Sequence, residues 1–196
     1  MNIALKEWSI LIRALDRGAQ IFLLRKGGIV EAMRGFEPRH REFLLFPTSE
    51  HQHARFLKPE WAEEFTGTAA EPGKSLSISH MARVTDVLRA PPSPDALRNA
   101  PHVWNEDFIH QRYNYRPDLP LYVLVTRIYR LDPSHVIPLR ASYAGCKSWV
   151  HLTEEIPVEA AHPVLDDAAF ARQRSELLRQ LGLGSNRGEG REQAAE

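Results

Sequence analysis

The stretch LYVLVTRIYRL, residues 121–131, decides the fold. β-branched, leucine and aromatic residues fill it, and it is apolar on both faces until Arg127 and Arg130. Such residues favour an extended, pleated backbone. A strand that is apolar on both faces is one that other layers cover on both sides. The stretch therefore predicts a central strand, around which the rest of the protein is built.

Shorter apolar runs flank this strand along the chain. They are QIFLLR at 20–25, EFLLF at 42–46, SISHMARVTDVL at 77–88, HVIPL at 135–139 and KSWVHL at 147–152. The alternation of the third run slips at Asp86–Val87, as a β-bulge causes. Short turns or single helices separate the runs, without the regular strand–helix alternation of a parallel sheet. The pattern predicts an α+β fold, with a small curved sheet or barrel and helices on its rim.

The segment 5–17, LKEWSILIRALDR, fits two secondary structures. Its apolar residues recur at helical spacing from Leu5 to Leu15, whereas the part from Trp8 to Ile12 also alternates as a strand does. We expect a helix here.

Two later segments carry helix signals of different kinds. Asn105 suits an N-cap, because Glu106 and Asp107 follow it in the first turn. Residues 164–181 have an amphipathic pattern of leucines and one phenylalanine, and Gly182 ends it. We expect helices at both places.

These elements predict three parts of the chain. Residues 1–160 form a single α+β domain, and the C-terminal helix packs on it within 161–183. Residues 184–196 have no apolar anchor, so a disordered tail is expected.

The composition excludes several protein classes. The chain has 196 residues, 43% of them apolar and 26% charged, as is ordinary for a globular protein. No run approaches the roughly 18 apolar residues of a membrane span, so we expect no contact with a membrane. The lone Cys146 excludes an internal disulfide and a cysteine-based zinc site, and a cytoplasmic location is the simplest expectation.

The charge is balanced overall but unevenly spread. Residues 1–150 hold 20 Lys and Arg against 16 Asp and Glu, whereas residues 151–196 hold 5 against 9. This asymmetry allows a basic face without establishing nucleic-acid binding, because many solvated surfaces share it.

The polar stretch TSEHQH, residues 48–53, follows an apolar run and Pro47. His51 and His53 would share one face of a strand, where two imidazoles could bind a metal. No HExxH or comparable pattern supports that, and we expect no metal. The stretch is otherwise the solvated end of a strand, or a binding rim whose donors and acceptors suit bases and phosphates.

The turn RKGG, residues 25–28, favours anion binding, because two glycines let backbone amides approach a ligand beside two cations. A plain hairpin turn fits equally well. Neither the P-loop spacing nor GxGxxG is present, so no nucleotide cofactor is expected. Trp104 and Tyr113 lie in a stretch rich in aromatics and arginines, where they either stack on bases or enter the core.

Two function classes follow. The first is a nucleic-acid-binding module, for either RNA or DNA. Its predicted contacts are Arg25, Lys26, Arg39, Thr48, His51, Gln52 and Arg116.

The second class is a hydrolase or nuclease acting on nucleic acid or a nucleotide. His51 or His40 would be its general base, and Glu42 or Glu50 would assist. Cys146 lies beside a lysine, but no local base accompanies it. A third role is a protein-interaction subunit that docks a partner through the C-terminal helix.

Several ordered blocks carry a family resemblance. They are LKEWSILIRAL, GAQIFLLRKGGI, REFLLFPTSEHQ, ARVTDVL, RPDLPLYVLVTRIYRL and GCKSWVHL. Over about residues 4–156 they resemble the bacterial domain of unknown function 1802. That family has no established activity, and links of some members to nuclease segments imply a role near DNA restriction.

The order of elements also resembles the PUA/ASCH superfamily. The resemblance implies a small barrel that grips RNA or modified bases, and a role in RNA processing. In that superfamily the turn after the first strand carries a cation facing the ligand, and Arg25 and Lys26 occupy that place here.

Overall fold

A computed structural model describes residues 1–26, 40–49, 52–65, 75–145 and 147–183. Within these ranges seven strands form one sheet. The strands are β1 (Ile3–Trp8), β2 (Phe22–Lys26), β3 (Glu42–Thr48), β4 (Ser75–Arg89), β5 (Leu121–Pro138), β6 (Trp149–His151) and β7 (His162–Pro163). The α-helices are α1 (Ser9–Asp16), α2 (Pro59–Ala62), α3 (Asp95–Arg98), α4 (Glu106–Asn114) and α5 (Asp167–Gln180).

The strand order is β2-β5-β4-β3-β1-β6, with β7 added beside β5. β1 and β3 run parallel, and the other pairs are antiparallel. The sheet is curved and unclosed, so it is not the closed barrel that the sequence also allowed. Its curvature is visible in one contact: Arg25 of β2 reaches Lys6 and Glu7 of β1, although three strands lie between them.

The predicted central strand is confirmed. β5 lies between β2 and β4, and its pairing with β4 shifts register between Val84 and Asp86, next to the slip that the sequence predicted at Asp86–Val87. HVIPL was expected as a separate strand, but β5 continues through it to Pro138. A strand of that length reaches past its central part to pair with the beginning of β4, at Ser75.

The single helix predicted over 5–17 is wrong. Residues up to Trp8 form β1, and the helix α1 begins at Ser9. β1 is held between β3 and β6 and is largely buried, so its run of apolar residues reflects burial rather than helical periodicity. Trp8 has an extended ψ of 134°, which separates the two elements.

The C-terminal helix is present and packs on the sheet. α5 is capped by the side chain of Asp166, which accepts from the amide of Ala169 at 2.6 Å. Phe170 and Leu177 enter the main core, and Arg174 pairs with Asp86. The apolar side of α5 is thus used inside the fold, and docking of a partner on this helix stays a prediction.

The tail predicted over 184–196 lies outside the described residues. No helix in the described ranges is long and apolar enough to cross a membrane.

Candidate functional site

A cleft of about 490 Å³ lies where the last residues of β1, β2 and β3 approach α4. Trp8 closes β1, Arg25 lies near the end of β2, and Thr48 closes β3. Because β1 and β3 are parallel, their carboxyl ends lie at the same edge, and the curvature of the sheet adds the end of β2. The loop before β6 completes the wall with Lys147.

The cleft is strongly cationic. Its charged lining among the described residues consists of one carboxylate, Glu7, and five cations: Lys6, Arg25, Arg55, Arg112 and Lys147. A chain with no net charge therefore concentrates positive charge at one concave site. Concave, low-dielectric walls strengthen such a field and attract anions.

Arg25 is the most constrained of these cations. It forms an ion pair with Glu7, and the two side chains are only 16% and 9% exposed. It also donates to the carbonyl of Lys6 at 3.0 Å. Burial, and then the charge of Arg112, lower the pKa of Arg25 to about 9, so the guanidinium remains cationic at neutral pH.

Arg112 comes from α4 and faces the same interior. Burial lowers its pKa, because the charged form loses hydration. Within the described ranges, the buried Nε atoms of Arg25 and Arg112 have no hydrogen-bond partner. Each guanidinium thus has one buried N–H without an acceptor among the described residues.

Aromatic rings form the other wall. Trp104 and Phe108 stack with centroids 5.3 Å apart and planes 16° apart, and Trp8 packs 5.0 Å from Phe108. These rings are fixed by their neighbours. Tyr115 also lines the cleft but is 51% exposed, with the guanidinium of Arg116 located 5.6 Å from its ring centre.

Four residues singled out in the sequence lie in this cleft. They are Arg25, Thr48, His53 and Trp104. Arg25, from the start of the cationic turn, and Thr48, from the start of TSEHQH, therefore line the same cleft.

Other predicted contacts are engaged inside the protein. The ammonium of Lys26 donates to the carbonyls of Arg112, at 3.2 Å, and of Tyr113. Gln52 is buried, and its side-chain amide donates to the carbonyl of Thr48. The hydroxyl of Tyr113 donates to the carbonyl of Pro91 at 2.8 Å. These side chains anchor the walls, and Arg116 lies at the rim beside Tyr115.

The described acid–base candidates lie apart from the cleft. Glu42 begins β3, at the opposite end of that strand from Thr48, and pairs with Arg83 at 2.6 Å. His40 packs against Trp149, with ring centres 4.8 Å apart. The predicted residues Arg39, Glu50, His51 and Cys146 lie outside the described residues. In the part of the chain that is described, no three His, Cys, Asp or Glu side chains cluster as metal ligands.

The sequence analysis missed several lining residues. They are Lys6, Glu7, Arg55, Tyr115 and Lys147, whereas Arg112 belongs to the stretch rich in aromatics and arginines that the sequence had indicated. One signal was available: Lys6 and Glu7 interrupt an apolar segment, and on a buried strand two adjacent charges need partners. That signal was hidden because the segment was interpreted as a helix.

Comparisons with known proteins agree with the family resemblance. The model of the family described as "Domain of unknown function (DUF1802)" matches residues 4–176, which includes most of α5. No curated protein matches the chain. Among solved structures, a mutant of the ZmASCH protein from Zymomonas mobilis matches with a TM-score of 0.43 and 11% identity. The match covers 78% of this chain and 90% of that chain.

Proposed function

The chain belongs to the DUF1802 family, and on that premise we propose that this protein is a nucleic-acid-binding module that holds an unpaired RNA or DNA strand in its cleft. The observation that supports this most is the concave site, whose described lining has five cations against one carboxylate. Phosphate contacts supply most of the affinity in sequence-independent binding.

The cations divide into two groups with different tasks. Arg25 and Arg112 are half-buried, with buried Nε atoms, and hold their positions through the ion pair and the packing of α4. Arg55 and Lys147 are exposed at the entrance. In this proposal the exposed pair attracts the strand, and the buried pair donates to one phosphate deeper in the cleft.

The aromatic wall suits a base. Tyr115 is half-exposed at the rim, and an unpaired base gains about 1–3 kcal/mol by stacking on such a ring. The cleft volume of about 490 Å³ is within the range of ~300–1,000 Å³ typical of small-ligand sites. A cleft of this size suits one nucleotide of an unpaired strand, with its base turned out of the stack, rather than a base-paired duplex.

The test is fluorescence anisotropy with labelled ten-nucleotide RNA and DNA strands, single-stranded and as duplexes, across a salt series. We expect Arg55→Ala and Lys147→Ala each to weaken single-strand binding for all sequences. Each should also reduce the salt slope by about 0.7, the contribution of one phosphate contact. Arg172→Ala, at an exposed arginine of α5, is the matched control and should change neither.

Equal affinities and slopes for all three variants would refute the cleft as the binding site. The same strands are then incubated with and without divalent metal and separated by size. Retention without turnover is expected. Shortened products would assign the cleft to a hydrolase instead.

A further inference from the structure

A second, smaller pocket of about 200 Å³ lies directly beside the cleft. The ring of Trp104 lines both, so it is the wall between them. Pro94 and Ile109 add apolar surface to the pocket, and Lys58 and His102 add polar atoms. The volume is below the ~300 Å³ of typical drug-sized sites and suits a single ring system.

His102 is the informative residue of the pocket. It is only 5% exposed, and its Nε2 lies 2.8 Å from the carbonyl oxygen of Leu97. A carbonyl accepts only, so Nε2 carries the proton and Nδ1 is left with a lone pair. Nδ1 is itself buried, and no group among the described residues donates a hydrogen bond to it. A buried acceptor without a donor is costly and indicates a missing partner.

The imidazole is neutral. Burial, and then the positive charge of Lys58, lower the pKa of His102 to about 4. Nδ1 therefore stays an acceptor at neutral pH, and its hydrogen-bond partner must be an N–H or O–H donor. An anion would find no donor at this atom.

Most of the neighbouring polar groups already have partners. Asn105 caps α4 by accepting from the amide of Phe108 at 3.1 Å, and its Nδ2 donates to the carbonyl of Arg55 at 2.6 Å. Glu106 pairs with Arg98 at 3.0 Å. Lys58 is the remaining cation of the lining, and burial lowers its pKa. Asp95 also pairs with Arg98, at 2.8 Å, and His110 is an exposed residue of the lining. Among the buried and half-buried groups, the pocket offers Nδ1 of His102 as an acceptor and the ammonium of Lys58 as a donor.

We propose that this pocket binds one planar heteroaromatic ring that carries an N–H beside a carbonyl, as uracil and guanine do. The N–H donates to Nδ1 of His102, the carbonyl accepts from Lys58, and the ring packs against Trp104 and Ile109. Two sources present this same edge: a free base or nucleoside, and a base of a strand lying in the neighbouring cleft. The pocket does not depend on the cleft, so either proposal stands if the other fails.

The experiment uses the full chain labelled with ¹⁵N-histidine and follows the Nδ1 resonance of His102 by NMR. Uridine is titrated first, and 3-methyluridine, which lacks the N–H, is the matched ligand. We expect the Nδ1 resonance to move upfield and saturate with uridine and to stay unchanged with 3-methyluridine. Equal responses to both ligands, or none to uridine at millimolar concentration, would overturn the proposal.

Variants separate the pocket from the cleft. Lys58→Met keeps the aliphatic stem and removes the ammonium, so we expect uridine to bind about tenfold more weakly. Lys147→Ala in the cleft should leave uridine binding unchanged. The reverse pattern would place the ring in the cleft and overturn the assignment.

A single-stranded oligouridylate then distinguishes the two sources. A shift of the same resonance at lower concentration than with uridine assigns the base to a strand. Response to uridine alone assigns a free base or nucleoside. Because His102→Phe also removes the bond to Leu97, Lys58→Met is the primary variant, and its folding is checked by its amide spectrum.

Discussion

The cleft of about 490 Å³ and the smaller pocket of about 200 Å³ share Trp104 in their linings, but their titratable groups differ in charge. The cleft buries charges and keeps them: Arg25 is paired with Glu7 and remains cationic beside Arg112. The pocket buries a titratable group and neutralises it, because His102 gives up its proton rather than remain charged next to Lys58. Burial alone therefore does not decide the charge of a site.

The difference lies in the partner and in the chemistry of the group. A guanidinium keeps its proton even when its pKa falls by several units, whereas an imidazole starts near neutrality and loses it. The first environment suits an anionic ligand and the second a neutral one. The following predictions test this contrast, from the largest expected effect to the smallest.

Removing the cation of the buried pair should have the largest effect. Arg25→Met leaves the carboxylate of Glu7 buried without its partner, and we expect the free energy of unfolding to fall by about 3–5 kcal/mol. Urea denaturation measures this.

The double variant Glu7→Gln with Arg25→Met should recover much of that loss, because no charge is then left unpaired. Arg17→Met breaks the exposed pair with Glu64 and should cost less than about 1 kcal/mol. Similar losses for Arg25→Met and Arg17→Met would contradict the difference between buried and exposed pairs.

Acid should affect the pocket in a defined range of pH. Unfolded histidine has a pKa near its ordinary 6.5, and His102 in the folded protein has a pKa of about 4. Between these values the unfolded state binds more protons, so stability falls as the pH falls from 6.5 towards 4, by about 3 kcal/mol at most.

The measurement is urea denaturation from pH 7 to pH 4.5, together with the NMR titration of His102. The pKa values of Asp16 and Asp86 lie below 3.8, so these carboxylates contribute at lower pH. His102→Phe should flatten the pH dependence. Protonation of His102 in the folded protein near pH 6.5 would show that the imidazole is not held neutral.

A change in the helix that serves both sites should weaken them together. Asn105→Ala removes the N-cap of α4, which carries Arg112 of the cleft and Ile109 of the pocket. We expect the free energy of unfolding to fall by about 1 kcal/mol. The amide resonances of residues around Tyr115 in the cleft and around His102 in the pocket should both shift. Perturbation on one side only would mean that α4 does not couple the two sites.

The smallest effect is expected at the rim of the pocket. Arg98 pairs with Asp95 and with Glu106, but it is half-exposed, and solvent screens such pairs. Arg98→Ala should change stability by less than about 1 kcal/mol and leave the pH dependence of His102 intact. A loss of unfolding free energy as large as that of Arg25→Met would show that the ion pairs of Arg98 stabilise the pocket.

The sequence predicted much of the fold because burial leaves a direct pattern in it. The apolar run of β5 and the slip at Asp86 are local signals, and Asn105 caps α4 as its neighbours indicated. β1 was not predicted as a strand because a strand covered on both sides lacks the alternation of apolar and polar residues that distinguishes a strand from a helix.

The site was less predictable because it is assembled by tertiary contact. Arg25 and Thr48 were found from their local setting, beside glycines and after an apolar strand. Lys147 and Arg55 come from loops that only the curvature of the sheet brings near them. The neutral state of His102 depends first on burial and then on Lys58, which lies more than forty residues away in sequence, and no sequence spacing predicts either.

The pairing of β1 with β6 also has a consequence for biosynthesis. The ammonium of Lys6 donates to the carbonyl of Gly145, across 139 positions of the chain, and the amide of Lys6 bonds to Ser148. A ribosome releases the first partner long before the second, and distant pairings form late because loop closure opposes them. The wall of the cleft that holds Lys6 and Lys147 can therefore close only after the chain has been synthesised beyond Ser148.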